Sequence, residues 1–334
     1  MFATLAAATS PASITVEIVT EPGVQATAPR EWLQLLTTIG QRNVSIRTKR
    51  SGDSPQLSQS GSDERPRYRV VGLLNGRNEL LLPGGRFSLR SRSKLADYFD
   101  RLAADGPEGV TAEKGRFGLT EKQFAAVHAD LAQPLALATN DQSLVEVLKE
   151  LRELLELELT ADDEAWEILK KADPVTDDVE QLTVGTALAL LLRSHDLVLL
   201  PEKQRGKEVT LRIARKQEEA RDEKTEVEVW PVGWESEESP SKLAPALMET
   251  LNAEIDGFTL AEAMGSIAPR IGVPIFWDHA TLREREIDPT TIEVKFARKR
   301  THLKRVVDKL LFQARLKGEL RIDEAGTVFY WISR

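Results

Sequence analysis

The 334-residue chain has no cysteine. Disulfides, thiolate metal sites, iron–sulfur clusters and a cysteine nucleophile are therefore excluded. Histidine is scarce too: His128, His195, His279 and His302 lie far apart, and none has the close-spaced partners of a zinc motif. Asp278-His279 is the most suggestive pair, and the reading for it is a capping or solvated role. No run approaches the ~18 consecutive apolar residues of a membrane helix. The best stretch, residues 186–200, is interrupted by Arg193, His195 and Asp196. Signature loops are missing as well. No serine sits in a G-x-S-x-G elbow. Pro83-Gly-Gly-Arg86 lacks the lysine–hydroxyl pair of a phosphate loop. Asp173, Asp177, Asp178 and Glu180 lack the spacing and glycine of a calcium loop. The expectation is a non-enzymatic protein with no catalytic residue, cofactor or metal.

What is present describes a folded globular chain. Hydrophobic residues make up 41% and charged residues 29%, and the length suffices for two or three domains with their own cores. The net charge of −8 argues against nucleic acid as the partner of the whole chain. At the start, Phe2-Ala-Thr-Leu-Ala-Ala-Ala8 followed by Thr9-Ser-Pro-Ala12 reads as a residual signal segment or an irregular start over 1–12. It lacks a basic leading region. The expected location is periplasmic or exported, with cytoplasmic as the alternative.

The chain reads as α+β. Residues 13–131 form an N-terminal α/β domain. Ile14, Val16 and Ile18 alternate as a strand, Pro29 opens a helix with Trp32, Leu35, Leu36 and Ile39 on one face, and 43–48 is a second strand. The polar stretch 51–66 is expected to be a loop. Asn75-Gly76 between two apolar runs signals a hairpin, and helices are expected over 91–104 and 120–131.

The rest of the chain carries an internal repetition. Ser143 and Glu146 form a capping box ahead of Leu144, Val147, Leu148, Leu151 and Leu155 on one helical face. Thr259 and Glu262 do the same ahead of Leu260, Ala263, Met264, Ile267 and Ile271, at an offset of 116 (143 to 259). Pro269 should bend or end that second helix near Ala268. Strand-like runs follow at Leu157-Glu-Leu159 and Val273-Pro-Ile275. A second face, Val184, Ala187, Leu188, Leu191 and Leu192, recurs as Leu303, Val306, Val307, Leu310 and Leu311 at an offset of 119 (184 to 303). Each stretch closes on a strand, 209–213 and 328–332. The expected modules are 132–216 and 246–334, joined by a charged linker, 217–245, whose Val227-Glu-Val-Trp-Pro-Val-Gly-Trp234 reads as an edge strand.

The pattern Leu260-x-x-Ala263-Met264-x-x-Ile267-x-x-x-Ile271-Gly-Val-Pro, with Asp278 and the closing Leu316-Lys-Gly-Glu-Leu-Arg-Ile to Val328-Phe-Tyr-Trp-Ile, resembles the secretin and TonB-receptor short N-terminal (STN) domain. The likeness covers both stretches, about half of the chain. It implies two small βαβ-type modules that dock other proteins in the bacterial cell envelope, and it transfers no catalytic residue. In that family a barrel or secretin usually follows; here the modules stand in tandem at the end of the sequence. The leading expectation is thus a docking protein of the cell envelope with a protein partner. The alternative is a cytosolic adaptor for polyanions or nucleic acid, acting through the basic cluster Arg86, Arg90 and Arg92. Trp230 and Trp234 are a second candidate contact, since tryptophan is enriched at interfaces.

Overall fold

A computed structural model describes residues 12–62, 65–216 and 228–334. The chain is α+β and divides into two compact units, Met1–Thr120 with Lys203–Glu208, and Glu121–Glu202 with Val209–Arg334.

The first unit is built on a mixed sheet. Strand β1 (Ser13–Thr20) lies parallel to both β2 (Asn43–Thr48) and β4 (Arg65–Leu74). The sheet order is β2-β1-β4-β5-β6, with β5 at Glu79–Leu82 and β6 at Gly85–Ser88. Helix Ala28–Thr38 makes the crossover from β1 to β2, as a parallel pair requires. Its buried Trp32 and Leu36 join Leu95, Tyr98, Phe99 and Leu102 of helix Arg92–Asp105 over Val16, Ile18, Val70 and Leu74.

Two expectations change here. The stretch 51–66 contains a strand, β3 (Gln56–Ser62), antiparallel to β4. Its side chains are mostly exposed, so backbone pairing holds it and no apolar alternation announces it. The hairpin at Asn75-Gly76 is present, but the residue with positive φ is Asn78 (58°). Asn75 supplies the turn through its side chain, whose Oδ1 accepts from the backbone N of Arg77 and of Glu79, each at 3.0 Å.

In the second unit, helix Glu121–Leu131, read from sequence with the first domain, precedes two spans of matching element order. The first span has helix Leu144–Leu154, strand β7 (Leu159–Ala161), helices Asp163–Lys171 and Val184–Arg193, then β8 (Leu197–Lys203) and β9 (Val209–Arg215). The second has helix Leu260–Ile271, β12 (Ile275–Trp277), helices His279–Glu284 and Leu303–Gln313, then β14 (Lys317–Ile322) and β15 (Val328–Ser333). In each, the closing strand is flanked by the other two: β7-β9-β8 and β12-β15-β14. The short strand runs parallel to the closing strand in both. The expected apolar faces are buried, with Leu155 half-buried at its helix end.

Several boundaries differ from expectation. The short strands begin at Leu159 and Ile275, where the expected runs end. Helix Leu260–Ile271 continues through Pro269 and stops at Gly272, whose φ of 76° is the left-handed cap glycine adopts without strain. Ser143 makes no side-chain cap bond, whereas Thr259 and Glu262 form the full box. Of the expected edge strand at 227–234, Val227 lies outside the described residues. The rest pairs only at β10 (Trp234–Glu235), after Pro231, which lacks a backbone N–H, and Gly233, at φ 66°. Residues 1–11 and the linker stretch 217–227 also lie outside the described residues.

Sequence analysis did not anticipate a two-stranded antiparallel ribbon of β11 (Thr250–Thr259) and β13 (Glu293–His302), which carries two register shifts. In the first span the matching segments are irregular yet touch at corresponding points. Pro134 bridges Thr183 as Thr250 pairs with His302. The Val184 N to Gln133 O bond matches Leu303 N to Glu249 O. Val175 N bonds Gln142 O where Val294 pairs with Phe258.

Candidate functional site

The arginines singled out from sequence are exposed but spread over different elements. Arg86 lies on β6, 4.0 Å from Glu79 Oε2, Arg90 in the following turn, and Arg92 at the first position of helix Arg92–Asp105. Upstream basic residues are largely neutralised. Arg47 and Arg69 both bond Glu17, and Arg47 also grips Asp53 through two nitrogens. Arg69, then Arg47, hold the Glu17 carboxyl below the usual range.

The tryptophan pair packs inward. Trp230 is 2% exposed and meets Trp234 edge-to-face at 5.2 Å, with Phe124 and His128 alongside. Its Nε1 donates to Glu324 Oε1 at 2.6 Å. Glu324 Oε2 also accepts from the Thr183 hydroxyl and from the Thr186 N and Oγ1, at 3.1 and 2.9 Å. Asp323 accepts from Thr183 N at 3.0 Å. Two carboxylates thus satisfy the otherwise unpaired donors at the start of helix Val184–Arg193, where the helix dipole favours negative charge. Gly185 makes the approach possible, because a Cβ there would sit 2.7 Å from Glu324 Oε1.

Two further pairs tie the spans together. Arg193 bonds both oxygens of Asp278, at 2.9 and 2.7 Å. Burial would raise the Asp278 carboxyl, but Arg193 and Thr281 outweigh it and hold it below the usual range. His279 Nε2 lies 3.0 Å from Asp177 Oδ2 as an ion-pair contact, and that carboxylate raises the imidazole pKa against the opposing effect of burial. These acids and the pair Asp278-His279 are structural contacts. Among the described residues, no group of three or more His, Asp or Glu is placed to hold a metal. Nor is any described helix long and apolar enough to cross a membrane.

The surface with unspent charge is elsewhere. Between β13 and helix Leu303–Gln313 runs an open groove of about 470 Å³. Lys295 and Lys299 line it from the strand, Arg305 and Lys309 from the helix, with Phe296, Ala297 and Phe312 as its apolar part. Phe312 is 71% exposed, and Lys309 Nζ lies 5.6 Å from its ring centre. Two acids stand nearby: Asp308 pairs with Lys304 at 2.7 Å and Asp256 with Lys295 at 3.2 Å. Lys299, Arg305 and Lys309 are exposed and make no ion pair among the described residues.

Local sequence builds this groove. Leu251, Ala253 and Ile255 alternate inward on β11 and Val294 and Phe296 on β13, seating the ribbon on the core. Val306, Val307, Leu310 and Leu311 bury the opposite face of the helix, so Arg305, Lys309 and Phe312 are turned outward. Gln313 then clamps ribbon to helix: its Oε1 accepts from Lys295 N at 3.0 Å and its Nε2 donates to Lys295 O at 3.1 Å. The signal was legible. From Lys295 to Lys309 the sequence KFARKRTHLKRVVDK has seven Lys and Arg against one Asp, in a chain of net charge −8.

Comparisons of this chain with protein-family models, curated proteins and solved structures found no match.

Proposed function

We propose that this is a non-enzymatic docking protein that binds an anionic macromolecule along the groove between β13 and helix Leu303–Gln313. The observation that carries this reading is a concavity with lysine and arginine on both walls, three of them free of ion pairs, around an exposed phenylalanine. An exposed ring and unpaired cations together suit a partner that is charged and partly apolar. The groove takes precedence over Arg86, Arg90 and Arg92, which are spread over a strand, a turn and a helix start. Fluorescence anisotropy with a labelled heparin oligosaccharide tests it. Affinity should fall linearly on a log–log salt plot as counterions are released, and Lys299→Ala/Arg305→Ala/Lys309→Ala should flatten the slope. Arg86→Ala/Arg90→Ala/Arg92→Ala should leave it unchanged. Parallel slopes for the groove variant and the parent would refute the assignment.

A second reading rests on the STN resemblance: two tandem modules, related by duplication, docking a protein partner in the bacterial envelope. What supports it is the common strand order of the two spans and the recurrence of their end pairings at the 116 and 119 offsets. On this reading the protein acts in the periplasm or after export. Fractionation of the native host tests it, and recovery from the cytosol alone would remove it.

A further inference from the structure

We propose that the anionic partner is single-stranded nucleic acid, with a base stacked on Phe312 and the backbone held by the groove's cations; this rests on the docking reading above. The ligand must first account for the ring. Phe312 is left 71% exposed beside Lys309, at the end of a helix whose other face is fully packed. An acidic peptide would meet the cations but does not bring a planar face with each charge. A nucleic acid strand carries a phosphate and an aromatic base in every unit, and base–aromatic stacking with a basic track is how unpaired strands are held. Only an unpaired base can reach such a ring, which favours the single strand over the duplex.

Shape argues the same way. The cations stand on the two walls of a concavity of about 470 Å³, where a flat bilayer surface would meet them poorly and a strand can lie between them. The basic character also continues past the groove, through exposed Arg298 and Arg300 on the ribbon. A small anion would be satisfied inside the groove; the extension fits a polymer.

The test compares a dT20 oligonucleotide with an abasic 20-mer of the same charge, using the full chain. The parent should prefer dT20. Phe312→Ala should weaken dT20 by about 5- to 150-fold, the equivalent of one stacked base, and leave the abasic strand and heparin unchanged. Phe312→Trp should retain dT20 binding, and the exposed position leaves thermal unfolding a valid control for folding in each variant. Equal affinity for dT20 and the abasic strand, with heparin still bound, would overturn nucleic acid while docking of anions stands. If Phe312→Ala released the protein from equimolar phosphatidylglycerol–phosphatidylcholine vesicles and left dT20 untouched, the ring would belong to a membrane and the proposal would fall. Failure of every polyanion to bind would overturn both readings.

Discussion

The two spans of the second unit use closely matched lengths of chain differently. From helix start to helix start, Asp163 to Val184 in one and His279 to Leu303 in the other, the second is longer by only three residues. In the first, this segment is an irregular loop rich in Asp with Pro174, residue types that strands disfavour. It is fastened by single contacts and by Thr139, whose hydroxyl donates to Asp177 O and accepts from Val179 N. In the second, Glu293-Val-Lys-Phe-Ala-Arg-Lys-Arg-Thr-His302 pairs along its length with β11. The apolar faces are shared by both spans, and the cationic groove lies where they part. Common positions carry stability, and divergent ones carry the candidate function.

The comparison can be broken hardest at the shared core. Leu188 and Val307 are both fully buried and occupy matching helix positions. Leu188→Ala should destabilise by about 2–5 kcal/mol, and Val307→Ala by about 1.5–3 kcal/mol for its smaller side chain. Urea unfolding measures both, and an effect near zero at either would mean that the faces are not equivalent. Next in size is a position where the spans differ. Glu324 sits at the turn between β14 and β15, whereas the matching turn of the first span carries Arg205. Glu324→Gln places an amide against donors that need acceptors, and should cost about 1–3 kcal/mol. Arg205→Gln, on an exposed side chain, should be near neutral in the same measurement.

A smaller contrast sits at the helix starts. Thr259→Ala removes a complete capping box and should cost about 1 kcal/mol. Ser143→Ala, at a site without a side-chain cap bond, should cost distinctly less. Equal losses would put Ser143 in a capping role after all. The finest test is pH. His279 in the second span has its pKa raised by Asp177 of the first, with Asp278 adding to that and burial and Arg283 opposing it. A raised folded pKa gives stability that is fully present below the ordinary imidazole value of 6.5 and is lost as pH rises through the folded value. The parent should therefore lose more Tm than His279→Gln between acidic and mildly alkaline buffer. A parent and variant with parallel Tm–pH curves would show that the pair has no such linkage.

Sequence reading served where side chains declare their environment. The helix faces at Leu260–Ile271 and Leu303–Gln313 and the alternation of Val16 and Ile18 follow from burial on one side, which imprints a period. It failed where the backbone does the holding. Gln56–Ser62 forms a strand by pairing with β4 while its polar side chains face water. Capping also escaped it, because Ser143 and Thr259 offer the same spacing and only the second closes its bonds. At the candidate site the letters were present: Leu251, Ala253 and Ile255 alternate, and Arg298-Lys299-Arg300 stands out in an acidic chain. Which arginines are already spent on carboxylates, such as Arg47 on Glu17 and Asp53, is a matter of distances between residues far apart in the chain.

The Gln313 clamp has a consequence for the molecule in crowded company. A two-stranded ribbon has two open edges, and each free N–H and C=O can template a strand from another copy, the first step toward aggregation. At Lys295, where the ladder slips, the Gln313 amide offers one donor and one acceptor to the backbone and so occupies it as a third strand would. Together with the mutual repulsion of Lys295, Arg298, Lys299 and Arg300, this side chain closes the edge to its own kind while the groove beside it stays open.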